Sequence, residues 1–378
     1  MKPIVHESSR RKTISNLLLI IFSIVITGMI LEVILRAIGY HPFKELLNGR
    51  ELIIRPSEIK QRTYEATHNA EGYAWGTQIK INSYGFRDKE YRLEKGSGVY
   101  RIITIGDSIT FGNFLPTEDV YPEQLEALYE AEGKTVEVLN LGLGGYNTLQ
   151  EVSTLEQIGI QFSPDLVVVG YCINDIGDTS PNLRYIQAAQ KYGSSIYHLR
   201  LIQLIQSRID KINLTEYSRI INSHDRFVRD NKDYIVDVVD DQELNNRINH
   251  LQSRLKVDKN ELNYFVPMYL SRPHLGKLRY ALEKLKTLQD QHEFHVIVLI
   301  IPVLTESHQD IYRAVYNVTE HEFYRVGFDV INVYDVFESS QFNRLLIREW
   351  DIIHPNKRGH RLMANQLYDV INSKFLSQ

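Results

Sequence analysis

Four short stretches of this chain carry the residue types that serine-based acyl chemistry needs. Gly106-Asp107-Ser108 comes first, then Gly142-Leu143-Gly144-Gly145, then Asn174-Asp175, and last Asp351-Ile352-Ile353-His354. A serine hydroxyl is a weak nucleophile until a base takes its proton, and imidazole suits that role near neutral pH. His354 needs a partner to fix its tautomer and stabilise the imidazolium; Asp351, three residues earlier on the same loop, can reach its Nδ1. A developing oxyanion needs donors such as backbone N–H groups at a glycine turn and an asparagine amide. Gly145 has no Cβ to block that approach.

Each stretch also has a plainer reading. Gly-Asp-Ser is a common turn, and His354 before Pro355 can be a loop histidine. Asp351 can cap the final helix, and Asn174-Asp175 can begin one. Gly144-Gly145 can be a simple turn; a dinucleotide loop fits poorly, because the G-x-G-x-x-G spacing is missing.

The pattern from Tyr100 onward says how these stretches meet. Apolar, β-branched runs predict strands over 101–105, 136–141, 166–170, 295–301 and 329–333. Between them fall helical stripes. One follows Asp119, a candidate N-cap, through Leu125, Leu128 and Tyr129. Asn147 and Gln150 form a cap-box-like start to the next, which carries Leu149, Val152 and Leu155. Leu278, Leu282, Leu285 and Leu288 mark another, followed by helices near 311–323 and from Gly359 onward. Strands alternating with helices predict an α/β fold, a three-layer doubly wound parallel sheet. In such sheets ligands bind beyond the carboxyl ends of the strands, where all four stretches lie.

Gly106-Asp107-Ser108, Asn140-x-Gly-x-Gly-Gly145, Asn174-Asp175 and Asp351-x-x-His354 together resemble the four blocks of the SGNH (GDSL-like) hydrolase family, in that family's order. The resemblance covers 100–175 and 351–354. It implies a flavodoxin-like sheet, with Ser108 as nucleophile, His354 as base and Asp351 as its orienter. It also implies an oxyanion hole from the Ser108 N–H, the Gly145 N–H and the Asn174 side chain. The family usually has glycine two residues before its asparagine; here that position is Cys172, which bears on the local turn. The N-terminal apolar run and Asn82-Ser-Tyr-Gly-Phe-Arg-Asp88 resemble a membrane-anchored bacterial branch, whose members often act on acyl groups of surface polysaccharides.

The rest of the chain sets the context. At 378 residues, 43% hydrophobic and 24% charged, it is a globular protein with a substantial core. The net charge of −4, without an internal basic tract, gives no reason to expect a nucleic-acid partner. One cysteine excludes an intrachain disulfide framework. His292 and His295 lack a third ligand, so we expect neither metal nor cofactor.

Arg10-Arg11-Lys12 precede an apolar run, 17–38, long enough to span a bilayer. No small-x-small cleavage site follows it, so an uncleaved signal anchor is expected, with a cleaved signal as the alternative. The basic flank places 1–13 in the cytoplasm and the body outside, as a single-pass protein of the inner membrane with its catalytic domain periplasmic or extracellular. The expected organisation is an anchor over 14–38, an extension over 39–99 packing on the hydrolase domain, and that domain over 100–378. Within it, 177–275 lacks strand signals and reads as an inserted helical cap.

These readings point to an esterase or O-acyltransferase that works through an acyl-enzyme. Its substrate would be an acylated small molecule or an O-acetylated polysaccharide. The alternative is a non-catalytic, membrane-tethered glycan-binding or scaffold component of an export system.

Overall fold

The computed structural model describes residues 5–38, 53–177, 199–202, 204, 205, 208, 242–257 and 265–376. Most of the expected cap over 177–275 lies outside them. The chain divides into two units, one of residues 1–48 and 187–222, the other of 49–186 and 223–378.

The first unit holds helix α1, Val5–Ala37. Its segment Lys12–Ala37 is long and apolar enough to cross a membrane, and its most apolar window is unburied. Near its end Arg36 pairs with Glu32 at 2.7 Å, one helical turn away. The Glu32 carboxylate also accepts the backbone N–H groups of Arg200 and Leu201 at 3.0 and 2.9 Å. It thereby serves as an acidic cap to a helical turn of the same unit.

The second unit is built on five parallel strands: β5 Tyr100–Gly106, β6 Val136–Asn140, β7 Leu166–Tyr171, β8 His295–Ile300 and β9 Asp329–Asn332. Their order is β6-β5-β7-β8-β9. All four pairings are parallel. The chain steps to one side of β5 and then reverses past it, so the switch point lies between β5 and β7. This is the flavodoxin-like order the sequence implies. Every residue of β7 is buried, as a strand covered on both faces requires.

Helices flank the sheet in packed pairs. α3 (Tyr121–Ala131) lies against α9 (Lys357–Ile371), α4 (Thr148–Gln157) against α6 (Arg272–His292), and α5 (Gln242–Val257) against α7 (Gln309–Arg325). Among the described residues of this unit the other α-helices are α2, Ser108–Phe111, and α8, Tyr334–Ser339. Asn147 and Gln150 form the full capping box at the start of α4. Asp119 does not cap α3: it ends a 3₁₀ turn, and Pro122 in the first turn of α3 supplies the fixed φ that begins a helix. The Asp119 carboxylate pairs instead with Lys357 at 2.8 Å. Arg272-Pro273, a break in the apolar pattern, opens α6 for the same reason.

Before the sheet, two small antiparallel hairpins pair β1 (Ile54–Pro56) with β2 (Tyr64–Ala66) and β3 (Glu71–Ala74) with β4 (Thr77–Lys80). β4 alternates buried and exposed, as its sequence predicts. Ile53, Tyr64, Trp75 and Ile79 form a second apolar cluster, completed by Phe111, Leu143 and Tyr146 from loops at the strand ends. The hairpins therefore brace the loops that follow β5 and β6.

Candidate active site

β5 ends at Gly106, opposite Gly170 of β7 in register. A Cβ on Gly106 would meet the Thr110 hydroxyl at 2.1 Å, so only glycine lets α2 turn back so tightly over the strand. The Asp107 carboxylate caps that helix by accepting the Ile109 N–H at 2.9 Å. Gly112 ends it in the left-handed region, φ 81°. The sharp turn lifts Ser108 to the switch point, where the residue is 8% exposed.

Arg87 holds the other end of the turn. Its guanidinium donates to the carbonyls of Phe111, Gly112 and Leu115 at 3.0, 2.6 and 2.6 Å, satisfying carbonyls that α2 leaves open. Next to it, Asp88 accepts the Asn140 N–H at 2.8 Å, which ties the end of β6 to the same segment. Asn82-Ser-Tyr-Gly-Phe-Arg-Asp88 is thus the brace behind the serine loop. The resemblance marked this stretch, but only the structure gives it a task.

The last loop supplies the partners of Ser108. Ile347 N–H donates to the His354 carbonyl, and Asn356 N–H to the Leu345 carbonyl, so 345–347 and 354–356 run side by side. The Asn356 side chain caps α9. His354 Nε2 lies 2.8 Å from Ser108 Oγ. His354 Nδ1 lies 2.9 and 3.0 Å from the two Asp351 oxygens. A carboxylate accepts only, so Nδ1 carries the proton and Nε2 is left to accept from serine. Burial pushes the Asp351 carboxyl up, but the imidazole and the N–H groups of His354 and Ile353 outweigh it and hold the group below its ordinary value. The structure brings Ser108, His354 and Asp351 into one chain of hydrogen bonds.

The donors come from the two neighbouring loops. Gly145 sits at φ 81° after β6, a conformation in which a side chain would be strained. Among the described residues, neither the Ser108 N–H nor the Gly145 N–H has an acceptor. The Asn174 amide donates to Asp107 Oδ2 at 2.8 Å, the same oxygen that Ser108 Oγ approaches at 3.0 Å. Asp107 is therefore a hub between the serine and the asparagine, a role its place in the Gly-Asp-Ser triplet did not reveal.

Cys172 accommodates itself in the space of the usual glycine. Its N–H donates to Asp175 Oδ2 at 2.7 Å while Asp175 N–H returns to the Cys172 carbonyl, closing a tight turn. Its thiol reaches Asn174 Oδ1 at 2.7 Å and helps orient the amide. Asp107, Cys172 and Asp175 offer ligand atoms within 4.8 Å of one another. Burial, and then the nearby Asp107 and Asp175 charges, push the Cys172 thiol up. Cys172 hydrogen-bonds to both acids, so the three residues form a connected support behind Ser108 and Asn174.

Two further residues border the imidazole. The Phe114 ring meets His354 edge to face, centroids 5.2 Å apart, and Phe114 is held at φ 71°, a costly backbone for a bulky residue. The Arg348 guanidinium lies 4.2 Å over the Phe114 ring. No sequence signal isolates either one, since a lone aromatic and a loop arginine are unremarkable by type.

Among solved structures, a Geobacillus acetyl-xylooligosaccharide esterase variant is 15% identical at a TM-score of 0.42, over 74% of this chain and 97% of that one. A Veillonella parvula member of the lipolytic G-D-S-L family is 18% identical at 0.38, over 72% and 98%. An Enterococcus faecalis lipase/acylhydrolase is 14% identical at 0.39, over 73% and 96%. No curated protein matches the chain. The family model for GDSL-like lipases and acylhydrolases matches residues 104–362, from the strand before Ser108 to the helix after His354, and the chain belongs to that family.

Proposed function

We propose that this protein is a serine acyl hydrolase in which Ser108 is the nucleophile, His354 the general base and acid, and Asp351 the residue that orients and stabilises the imidazole. The observation that carries this reading is the continuous relay from Ser108 Oγ to His354 Nε2 at 2.8 Å and from Nδ1 to Asp351 at 2.9 Å. Ser108 Oγ attacks the ester carbonyl as Nε2 takes its proton. The oxyanion is stabilised by the Ser108 N–H, the Gly145 N–H and the Asn174 amide once substrate draws that amide from Asp107. Collapse expels the alcohol, which leaves with the proton from His354. Water then attacks the acyl-serine in an esterase; a sugar hydroxyl does so in an O-acyltransferase, where water is kept out.

The apolar helix over 14–38 acts in this proposal as an uncleaved signal anchor, with 1–13 in the cytoplasm. The extension over 39–99 and the hydrolase domain over 100–378, including an inserted helical cap over 177–275, then lie periplasmic or extracellular. Its exposure and length over Lys12–Ala37 support that reading. This places the serine among acylated molecules of the cell surface, such as O-acetylated polysaccharides.

Hydrolysis of p-nitrophenyl acetate by the full-length protein in detergent tests the proposal, together with labelling by a fluorophosphonate. We expect labelling at Ser108 and loss of both activities in Ser108→Ala, with turnover lost in His354→Ala. An active Ser108→Ala protein overturns the assignment. Absence of both turnover and labelling in the folded wild type would instead favour a non-catalytic, glycan-binding or scaffold role.

A further inference from the structure

The geometry points to an acidic glycan as the substrate class, held by a row of arginines that begins beside His354; this rests on the acyl-hydrolase reading above. The first is Arg348. Its guanidinium lies over the Phe114 ring, and that ring touches the His354 imidazole. On its other side a Cβ at Gly76, in the tip of the β3–β4 hairpin, would come within 3.3 Å of Arg348 Nη2. Arg348 is thus held in place by packing alone. Among the described residues, no carboxylate lies within 4 Å of it. A cation fixed by an aromatic ring, beside the reacting groups and without a counter-charge, is suited to a negative group on the substrate. The strained backbone of Phe114, φ 71°, is a second mark of the same subsite, since such strain collects where geometry serves a ligand. Trp350, 73% exposed and 5.6 Å from the Arg348 guanidinium, offers an open ring face next to it.

The row continues along the loop. A cavity of about 770 Å³ is lined by Gln124, Arg344, Asn356, Lys357, Arg358 and Arg361. Lys357 is committed to Asp119 at 2.8 Å. Arg344, Arg358 and Arg361 have no carboxylate within 4 Å among the described residues. Leu345 and Ile347 pair with Asn356 and His354, so Arg344 and Arg348 are displaced along one pair of segments. Four chain steps separate them, at most about 14 Å. Two separate cation sites along one loop suit anionic groups repeated along an oligosaccharide better than a single charge on a small ester. The proposed ligand is therefore a carboxylate-bearing, O-acylated polysaccharide, with one acid near the ester at Arg348 and another in the arginine-lined cavity.

The test compares O-acetylated polygalacturonate with O-acetylated xylan as substrates for the full-length protein, with p-nitrophenyl acetate as the uncharged reference. We expect the acidic polymer to be favoured in kcat/KM, the preference to weaken with salt, and Arg348→Gln to lower the acidic-to-neutral ratio by about tenfold or more, mainly through KM. Arg344→Gln/Arg361→Gln lowers the same ratio for polymer. Equal rates on both polymers, or a ratio unmoved by Arg348→Gln, overturns the inference. Binding of polygalacturonate to the Ser108→Ala protein by calorimetry reads the arginine row without catalysis. If the wild type hydrolyses no ester but this binding holds and falls in Arg348→Gln, the catalytic reading fails and the ligand class stands. Binding to anionic lipid vesicles with no preference for the acidic glycan also overturns it.

Discussion

Glu322 and Glu151 are the same residue type, almost equally buried at 0% and 1% exposure, yet their surroundings are opposite. Glu322, on α7, receives two hydrogen bonds from the Arg279 guanidinium of α6 at 2.7 and 2.9 Å. Glu151, in the first turn of α4, has no hydrogen-bond partner for either oxygen among the described residues. Burial, and then the Asp107 charge, push the Glu151 carboxyl well up. Asp175 beside it is pushed up by burial and by Glu151 and Asp107, against the Cys172 N–H. Both acids lie deep; Glu322 is met by the Arg279 guanidinium, whereas Glu151 and Asp175 face each other and Asp107. In Asp351, by contrast, the His354 and Ile353 donors outweigh burial.

The contrast can be broken at four places. The largest effect belongs to Asp351→Asn, which keeps the shape but removes the charge that stabilises the imidazolium. We expect kcat on p-nitrophenyl acetate to fall by about 10³–10⁴; a loss below tenfold would separate Asp351 from the chemistry. Next is Glu322→Gln, which strands the Arg279 charge in the core. Urea denaturation should show about 3–5 kcal/mol of lost stability.

His360 is the basic counterpart of Glu151. Its Nδ1 accepts the Tyr121 N–H at 3.0 Å. Burial, with the His354 and Arg87 charges, pushes its pKa from 6.5 down to about 3. The neutral ring is thus favoured in the fold, while the unfolded chain takes up a proton first. Its contribution is complete above pH 6.5 and fades as pH falls toward about 3, by up to about 1.4 kcal/mol per pH unit. His360→Gln, which retains an acceptor for Tyr121, should flatten this acid limb in denaturation series.

The smallest effect is Glu151→Met, within about 1 kcal/mol, because it removes two unpartnered oxygens and fills the same space. Its signature is the pH profile. The native Glu151 holds its proton above the ordinary 4.5, so wild-type stability falls as pH rises past that value, and the variant should lose this decline. A Glu151→Met protein destabilised as strongly as Glu322→Gln would show that Glu151 is not the orphan its geometry describes.

The sheet and the relay were legible because they rest on local signals. β-branched runs announce buried strands, and Ser108, Asp351 and His354 belong to short motifs at strand ends. β1 and β2 were not legible, since three residues are too few for an alternating pattern to stand out. Arg87, Phe114 and Arg348 escaped for another reason. Their tasks depend on carbonyls and rings brought close by the fold, and nothing in their own neighbourhoods marks them. Asp119 misled because a good capping residue can find a better partner in Lys357, more than two hundred positions away.

Ser108 and His354 are separated by 246 positions and joined by one hydrogen bond. The proposed nucleophile is thus made long before its proposed base, and the contact of α9 with α3 is joined at similar range by Tyr121 and His360. Such distant pairings close late in folding, because chain entropy is lost before they form. During refolding, secondary structure should return first and turnover last. On the proposed mechanism a chain truncated before His354 keeps the serine but lacks its base, and we expect it to show no ester turnover.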